Sequence, residues 1–242
     1  MERRRRLVVS LVLSAAALSS AIFGLVGQQR QPPVSSPAQV QTEAGTQVAS
    51  PALEALGKLA IKGRASKTGY TREQFSAGWQ DLGNCDVRNY ILARDMDDEV
   101  LRSSTDCTVL SGTLHDPYTG KTIVFARGPT SSAKIQIDHV VALSNAWQTG
   151  AQQLPTDRRY QLANDPLNLL AVDGPANNQK SDADAASWLP PNKDYRCRYV
   201  ARQIAVKQTY SLWVTQAEHD TMAIVLKACP DQTLPLVLPA KQ

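Results

Sequence analysis

The chain is poor in the residues that build most cofactor sites. Its 242 residues hold three His, four Cys, four Trp and three Phe. No two Cys stand at C-x2-C spacing, which speaks against a cysteine-ligated zinc. No P-loop, G-x-S-x-G, H-E-x-x-H or dinucleotide fingerprint occurs, so the chemistries those motifs carry have no support. The sparse aromatics do not form the stacking platform of an RRM or OB surface. Trp79, Trp147, Trp188 and Trp213 fall on apolar stripes and read as core. No internal repeat is visible. A large charge of one sign is also missing. The chain has 26 Lys+Arg against 22 Asp+Glu, a net of +4, and residues 3–6 are all Arg. Without residues 1–27, four Arg and one Glu fewer, the balance is 22 against 21, or +1. A polyanionic partner would have to be met by a local patch, not by the global field.

What is present begins with a basic start and an apolar run over residues 7–26, the pattern of a secretory signal. Leu25-Val26-Gly27 offers a small-residue cleavage site; the same run, left uncleaved, is long enough to anchor in a bilayer. Either reading puts the remainder outside the cytoplasm. An even cysteine count in an exported chain reads as two disulfides. Three connectivities exist. The sequential one, Cys85–Cys107 with Cys197–Cys229, closes loops of moderate length and is favoured. Residues 28–52, rich in Gln, Pro, Ser, Ala and Thr, read as a disordered linker, residues 53–230 as one domain and 231–242 as an extended tail.

Within the domain, residues 52–61 and 85–101 carry helix-like patterns, and 72–79 reads as another short element. Two β-branched runs flank the turn at 116–121 and predict a hairpin. Strands are predicted over 135–141 and 167–172, with one or two helices between them. A helix follows over 175–188, between Asp173-Gly174 and Pro190-Pro191. Two more helices are predicted over 195–212 and 215–229, the second N-capped by Thr215. This is an α+β chain.

The residues that carry chemistry follow the same order. Asp138-His139 ends the apolar run IQIDHVVAL, Asn168 lies in NDPLNLLAV, and Asn177 and Lys180 lie in the polar stretch after it. Together with DPYTGK (116–121), QIDHVVALSNAW (136–147), ANDPLNLLAVDG (163–174) and WLPPNKDYRCRYV (188–200), this layout resembles the HNH, or ββα-metal, nucleases. It is most similar to the secreted bacterial branch related to the C-terminal nuclease domain of GmrSD-type restriction enzymes. The resemblance spans roughly residues 70–230. It implies a ββα-metal core with an added β-hairpin, flanking helices and two disulfides.

The resemblance also assigns roles. His139 would be the general base, since a neutral imidazole can take a proton from water near neutral pH. Asp138 and Asn177, with Asn178 as an alternative to the latter, would ligate a metal. Both are hard oxygen donors, which favour Mg²⁺ with Mn²⁺ as a substitute. Asn168 would fix the loop that carries the base. Lys180 and Arg127 would hold phosphate; Arg88, Arg196, Arg198 and Arg202 are further basic candidates. The implied substrate is DNA, with RNA open, cleaved by a secreted monomer with low sequence specificity. The rival reading is a non-catalytic cell-surface binding module on the same scaffold. His115-Asp116 reads as turn chemistry, Asn164-Asp165 as either a turn or part of the site, and His219 as surface.

Overall fold

The computed structural model describes residues 51–235. The signal-like segment, nearly all of the 28–52 linker and residues 236–242 lie outside that range. The domain opens with α1 (Ala52–Gly57), which buries Ala52, Ala55 and Leu56. A single 3-10 turn follows at Arg72–Gln74. Then comes α2 (Val87–Asp95), N-capped by Asp86, whose carboxylate accepts the Asn89 amide.

The helix expected over 85–101 stops early, and the chain enters β1 (Asp97–Ser103). Continued helix would stack Asp95, Asp97, Asp98 and Glu99 on the negative end of its own dipole. Instead Asp95 pairs with Arg94 and accepts the Ala171 amide, and the backbone leaves the helix there. β1 joins β2 (Asp106–His115) and β3 (Thr122–Ala126) in an antiparallel sheet of order β1-β2-β3. The expected hairpin is therefore two strands of a three-stranded meander. Its 116–121 turn is built by Asp116, whose carboxylate accepts the amides of Tyr118, Thr119 and Asp173.

Next is β4 (Ile135–His139), followed by α3 (Leu143–Gln148) and α4 (Thr156–Asn164). β5 (Leu169–Asp173) returns antiparallel to β4, with Asp138 opposite Leu170 and His139 opposite Leu169. α5 (Gly174–Lys180) starts at once, capped by the Asp173 carboxylate on the Ala176 amide. Two strands and a helix in this order are the expected ββα unit. The helix is shorter than the expected 175–188. Ser181 takes φ 50°, and the Asp184 carboxylate gathers the amides of Ala186 and Ser187 into turns. α6 (Arg196–Thr209) and α7 (Gln216–Lys227) complete the domain, with Thr215 capping α7 as expected.

The β4–β5 ribbon is covered on both faces, which is why β5 reads as an unbroken apolar run. Ile135, Ile137, Leu169 and Ala171 pack with Ile91, Leu92, Val109 and Phe125 of α2, β2 and β3. Leu170 and Val172 pack with Tyr199 and Ile204 of α6 and Leu226 of α7. A third cluster joins Phe75, Trp147, Leu162 and Val206. The disulfides are Cys85–Cys107 and Cys197–Cys229, with Cα atoms 5.3 and 6.4 Å apart, the sequential pairing expected. The α+β class is as expected. Among the described residues, no helix is long and apolar enough to cross a membrane.

Candidate active site

Successive side chains along β4 alternate between its faces. Because β4 stops at His139, both Asp138 and His139 still line one cleft of about 560 Å³. Asn177, Asn178, Ser181 and Asp182 form one wall, at the end of α5; Lys67, Tyr70 and Arg72 form another.

His139 is held from two sides. Its Nε2 lies 2.9 Å from the Ala163 carbonyl. A carbonyl can only accept, so Nε2 carries the proton and Nδ1 keeps its lone pair. Nδ1 has no hydrogen-bond partner among the described residues. The ring stacks on Trp79 at 5.7 Å between centroids, 9° from parallel. Burial drives the His139 pKa down to about 3; the Ala163 carbonyl opposes this, and nearby Arg72 and Lys180 add to it. The imidazole is neutral at neutral pH.

Asn168 is fully buried and ties the connection after β4 to its surroundings. Its Oδ1 accepts the Val141 amide at 2.8 Å, and its Nδ2 donates to the carbonyls of Val141 and Leu162 at 3.2 and 3.3 Å. Its own carbonyl accepts the Val140 amide. One side chain therefore grips both the segment leaving His139 and the stretch of α4 that presents Ala163 to the imidazole.

Asp138 is buried. Its Oδ1 accepts from Lys180 Nζ at 2.9 Å and its Oδ2 from the Tyr118 hydroxyl at 2.5 Å. Burial raises its pKa, and the Lys180 charge and the Tyr118 hydrogen bond work against that rise. Lys180 is 0 % exposed and its second acceptor is the His139 carbonyl, also at 2.9 Å. The expected phosphate contact for Lys180 is thus corrected: its ammonium points at the Asp138 carboxylate, beneath the cleft surface. Arg127 is corrected too. Its guanidinium donates to the Val109 carbonyl and to Asn89 Oδ1, strapping the end of β3 to β2 and α2, and it does not line the cleft.

Asn177 lines the cleft and donates from Nδ2 to Gln136 Oε1 at 2.9 Å, which leaves its amide oxygen available. Asn178 also lines the cleft, but its oxygen accepts a long contact from Gln136 Nε2 at 3.5 Å. Asn164 and Asp165 serve the fold: Asn164 accepts the Gln80 amide, and Asp165 accepts the Tyr210 hydroxyl. Arg196 and Arg202 donate to backbone carbonyls instead of facing the cleft. Lys67, Tyr70, Arg72, Trp79 and Tyr118 were not legible as site residues. Tyr118 stands inside DPYTGK, so the motif held a signal, but its turn chemistry masked it.

Would these residues suit a metal ion? No three His, Cys, Asp or Glu gather anywhere among the described residues. Beside Asp182, which is taken by Lys67 and Ser144, the cleft offers the Asp138 carboxylate and the amide oxygens of Asn177 and Asn178. Each carboxylate oxygen of Asp138 accepts one hydrogen bond, which leaves lone pairs on both. This donor set does not suit Zn²⁺. It fits a hard cation that keeps several waters. The Lys180 ammonium offsets the charge of the Asp138 carboxylate, which weakens the pull of that carboxylate on a cation.

Residues 86–225 match the family described as GmrSD restriction endonucleases, C-terminal domain. A protein of Arthroderma benhamiae, named an uncharacterized secreted protein, is 35 % identical over 198 residues, which cover 81 % of this chain and 93 % of the relative. The family match contains β4, β5, α5 and every residue first assigned to the site. As the resemblance implied, this chain belongs to the family of GmrSD restriction endonuclease C-terminal domains.

Proposed function

We propose that this protein is an exported, divalent-metal-dependent HNH endonuclease that hydrolyses phosphodiester bonds in DNA with low sequence specificity, acting as a monomer through the domain at residues 53–230. The observation that carries this reading is His139. Its Nε2 proton is committed to Ala163, and its Nδ1, without a hydrogen-bond partner among the described residues, belongs to a side chain lining the cleft shared with Asp138 and Asn177. Nδ1 takes a proton from water, which attacks phosphorus in line with the departing 3′ oxygen. The P–O3′ bond breaks, and the departing 3′ oxygen takes a proton from solvent, leaving a 5′ phosphate and a 3′ hydroxyl.

Asp138 and Asn177 would hold Mg²⁺, or Mn²⁺ in its place, and a bound ion there supplies charge stabilisation to the phosphate and the leaving oxygen. Tyr118 and Lys180 fix the carboxylate of Asp138, and Asn168 fixes the orientation of His139. A near-neutral surface without a base-reading motif supports low specificity. Export is supported by the signal-like N-terminus, by two disulfides and by the secreted relative.

The test is cleavage of plasmid, single-stranded DNA and RNA by the purified protein, in Mg²⁺ or Mn²⁺ and in EDTA. DNA should be cut only with metal. His139→Ala should lower turnover at least ~10²-fold. A wild-type protein that binds but cuts no nucleic acid in either metal would return the chain to the binding-module reading. Cleavage of RNA alone would replace the substrate.

A further inference from the structure

We propose that Arg72 is a phosphate-contacting residue of this cleft, in the position that Lys180 is too deeply buried to fill. The inference rests on the nuclease reading and names a substrate contact within it. Each other charge at the cleft has a partner. Asp138 faces Lys180 at 2.9 Å. Asp182 faces Lys67 at 3.0 Å and also accepts the Ser144 hydroxyl at 2.9 Å. His139 is neutral. That leaves the Arg72 guanidinium, exposed and without a hydrogen bond or ion pair among the described residues, as the uncompensated cation beside the general base. Its neighbour Glu73 is exposed and makes no ion pair with it.

The mounting of Arg72 is firm although its side chain is unpartnered. The Arg72 carbonyl accepts the amides of Phe75 and Ser76 at 3.0 and 3.1 Å. Phe75 is buried, with the rings of Tyr70 and Trp147 packed on it at 6.2 and 6.3 Å. Arg159 donates to the Gln74 carbonyl at 2.8 Å and closes the same turn from α4. A guanidinium on a fixed backbone, facing a cleft, suits two-pronged recognition of a phosphate group. A domain with almost no net charge needs such a local anchor to hold a polyanion. Residue 72 lies upstream of the family match at 86–225, so this contact would come from outside the part that the family model covers.

The experiment is equilibrium binding of a fluorescent single-stranded oligonucleotide to the full exported protein in EDTA, across a salt series, beside cleavage rates in Mg²⁺. Arg72→Ala should weaken binding about tenfold or more at low salt. It should also reduce the slope of log K against log salt by about 0.7, one phosphate contact. Cleavage kcat/KM should fall by a similar factor, with Tm unchanged. Arg72→Lys should recover part of the loss. Lys121→Ala, an exposed cation outside the cleft, should change the slope far less. An Arg72→Ala protein that binds with the parent's affinity and slope overturns the assignment, as does a lowered Tm with an unchanged slope. A parent that neither binds nor cuts nucleic acid fails at the nuclease reading itself, an outcome separate from these.

Discussion

At the scale of single residues, the site depends on a buried charge pair. Lys180 is 0 % exposed and gives one hydrogen bond to Asp138 and one to the His139 carbonyl. Removing one member of a buried pair leaves the other charge uncompensated, typically at a cost of ~3–5 kcal/mol. Lys180→Met should therefore lower Tm by roughly 10 °C for a domain of this size. Adding Asp138→Asn to that variant should recover part of the loss, because the stranded charge is then gone. A thermal double-mutant cycle measures the coupling directly. Strictly additive losses would mean that the two side chains do not act as a pair. The same arrangement explains how Lys180, three residues beyond Asn177, serves the Asp138 carboxylate and is withdrawn from the cleft surface: it lies inside the ribbon–helix seam, where a carboxylate and a carbonyl accept its hydrogen bonds.

At the scale of elements, the start of α5 decides whether Asn177 reaches the cleft. A Cβ built on Gly174 would lie 2.3 Å from the Ala133 carbonyl oxygen and 3.2 Å from Gln136 Nε2. The first of these is backbone and cannot step aside. Gly174→Ala should displace the helix from the turn before β4, destabilise the domain by about 1–3 kcal/mol, and lower metal-dependent cleavage. Melting curves and plasmid nicking check both effects; a variant with the wild-type melt would show that this close approach is not rigid. Two elements differ from the pattern of the sequence for local reasons. The acidic run after α2 enters β1, where its side chains are exposed and its backbone pairs with β2. The polar stretch after Lys180 is turned by Ser181 and Asp184, although its composition suits a helix.

At the scale of the whole molecule, two cross-links fasten opposite sides of the ribbon. Cys85–Cys107 ties the approach to α2 to the start of β2. Cys197–Cys229 ties the first turn of α6 to the end of α7. Between those two helices, Lys207 and Glu218 form a second buried ion pair, 3.0 Å apart. Loops closed over separations of 22 and 32 residues correspond to roughly 3–4 kcal/mol each on the chain-entropy account. Cys197→Ser with Cys229→Ser should lower Tm by about 7–15 °C and leave the metal dependence of cleavage unchanged. An unchanged Tm would mean that the α6–α7 packing, including Lys207–Glu218, holds that side without the bridge.

Much of this was written in the chain itself. The order of strand, connection, strand and helix follows from apolar runs and caps, which are local. That Asp138, His139 and Asn177 meet at one cleft was legible because their order in the chain matches a known motif; His139 and Asn168 are then held by backbone groups that chain order alone does not place. Loop length favoured the sequential pairing of the four cysteines among three possible connectivities, and the fold has that pairing. Tertiary structure alone decided the direction of the cations. Lys180 and Arg127 turn inward because buried acceptors, Asp138 and Asn89, meet them there. Arg72 has no ion pair among the described residues, and the two carboxylates that line its cleft, Asp138 and Asp182, are already paired with Lys180 and Lys67. Such pairings join residues up to 115 positions apart in the chain. A charge's availability depends on all the groups folded around it, and only the folded chain brings those groups together.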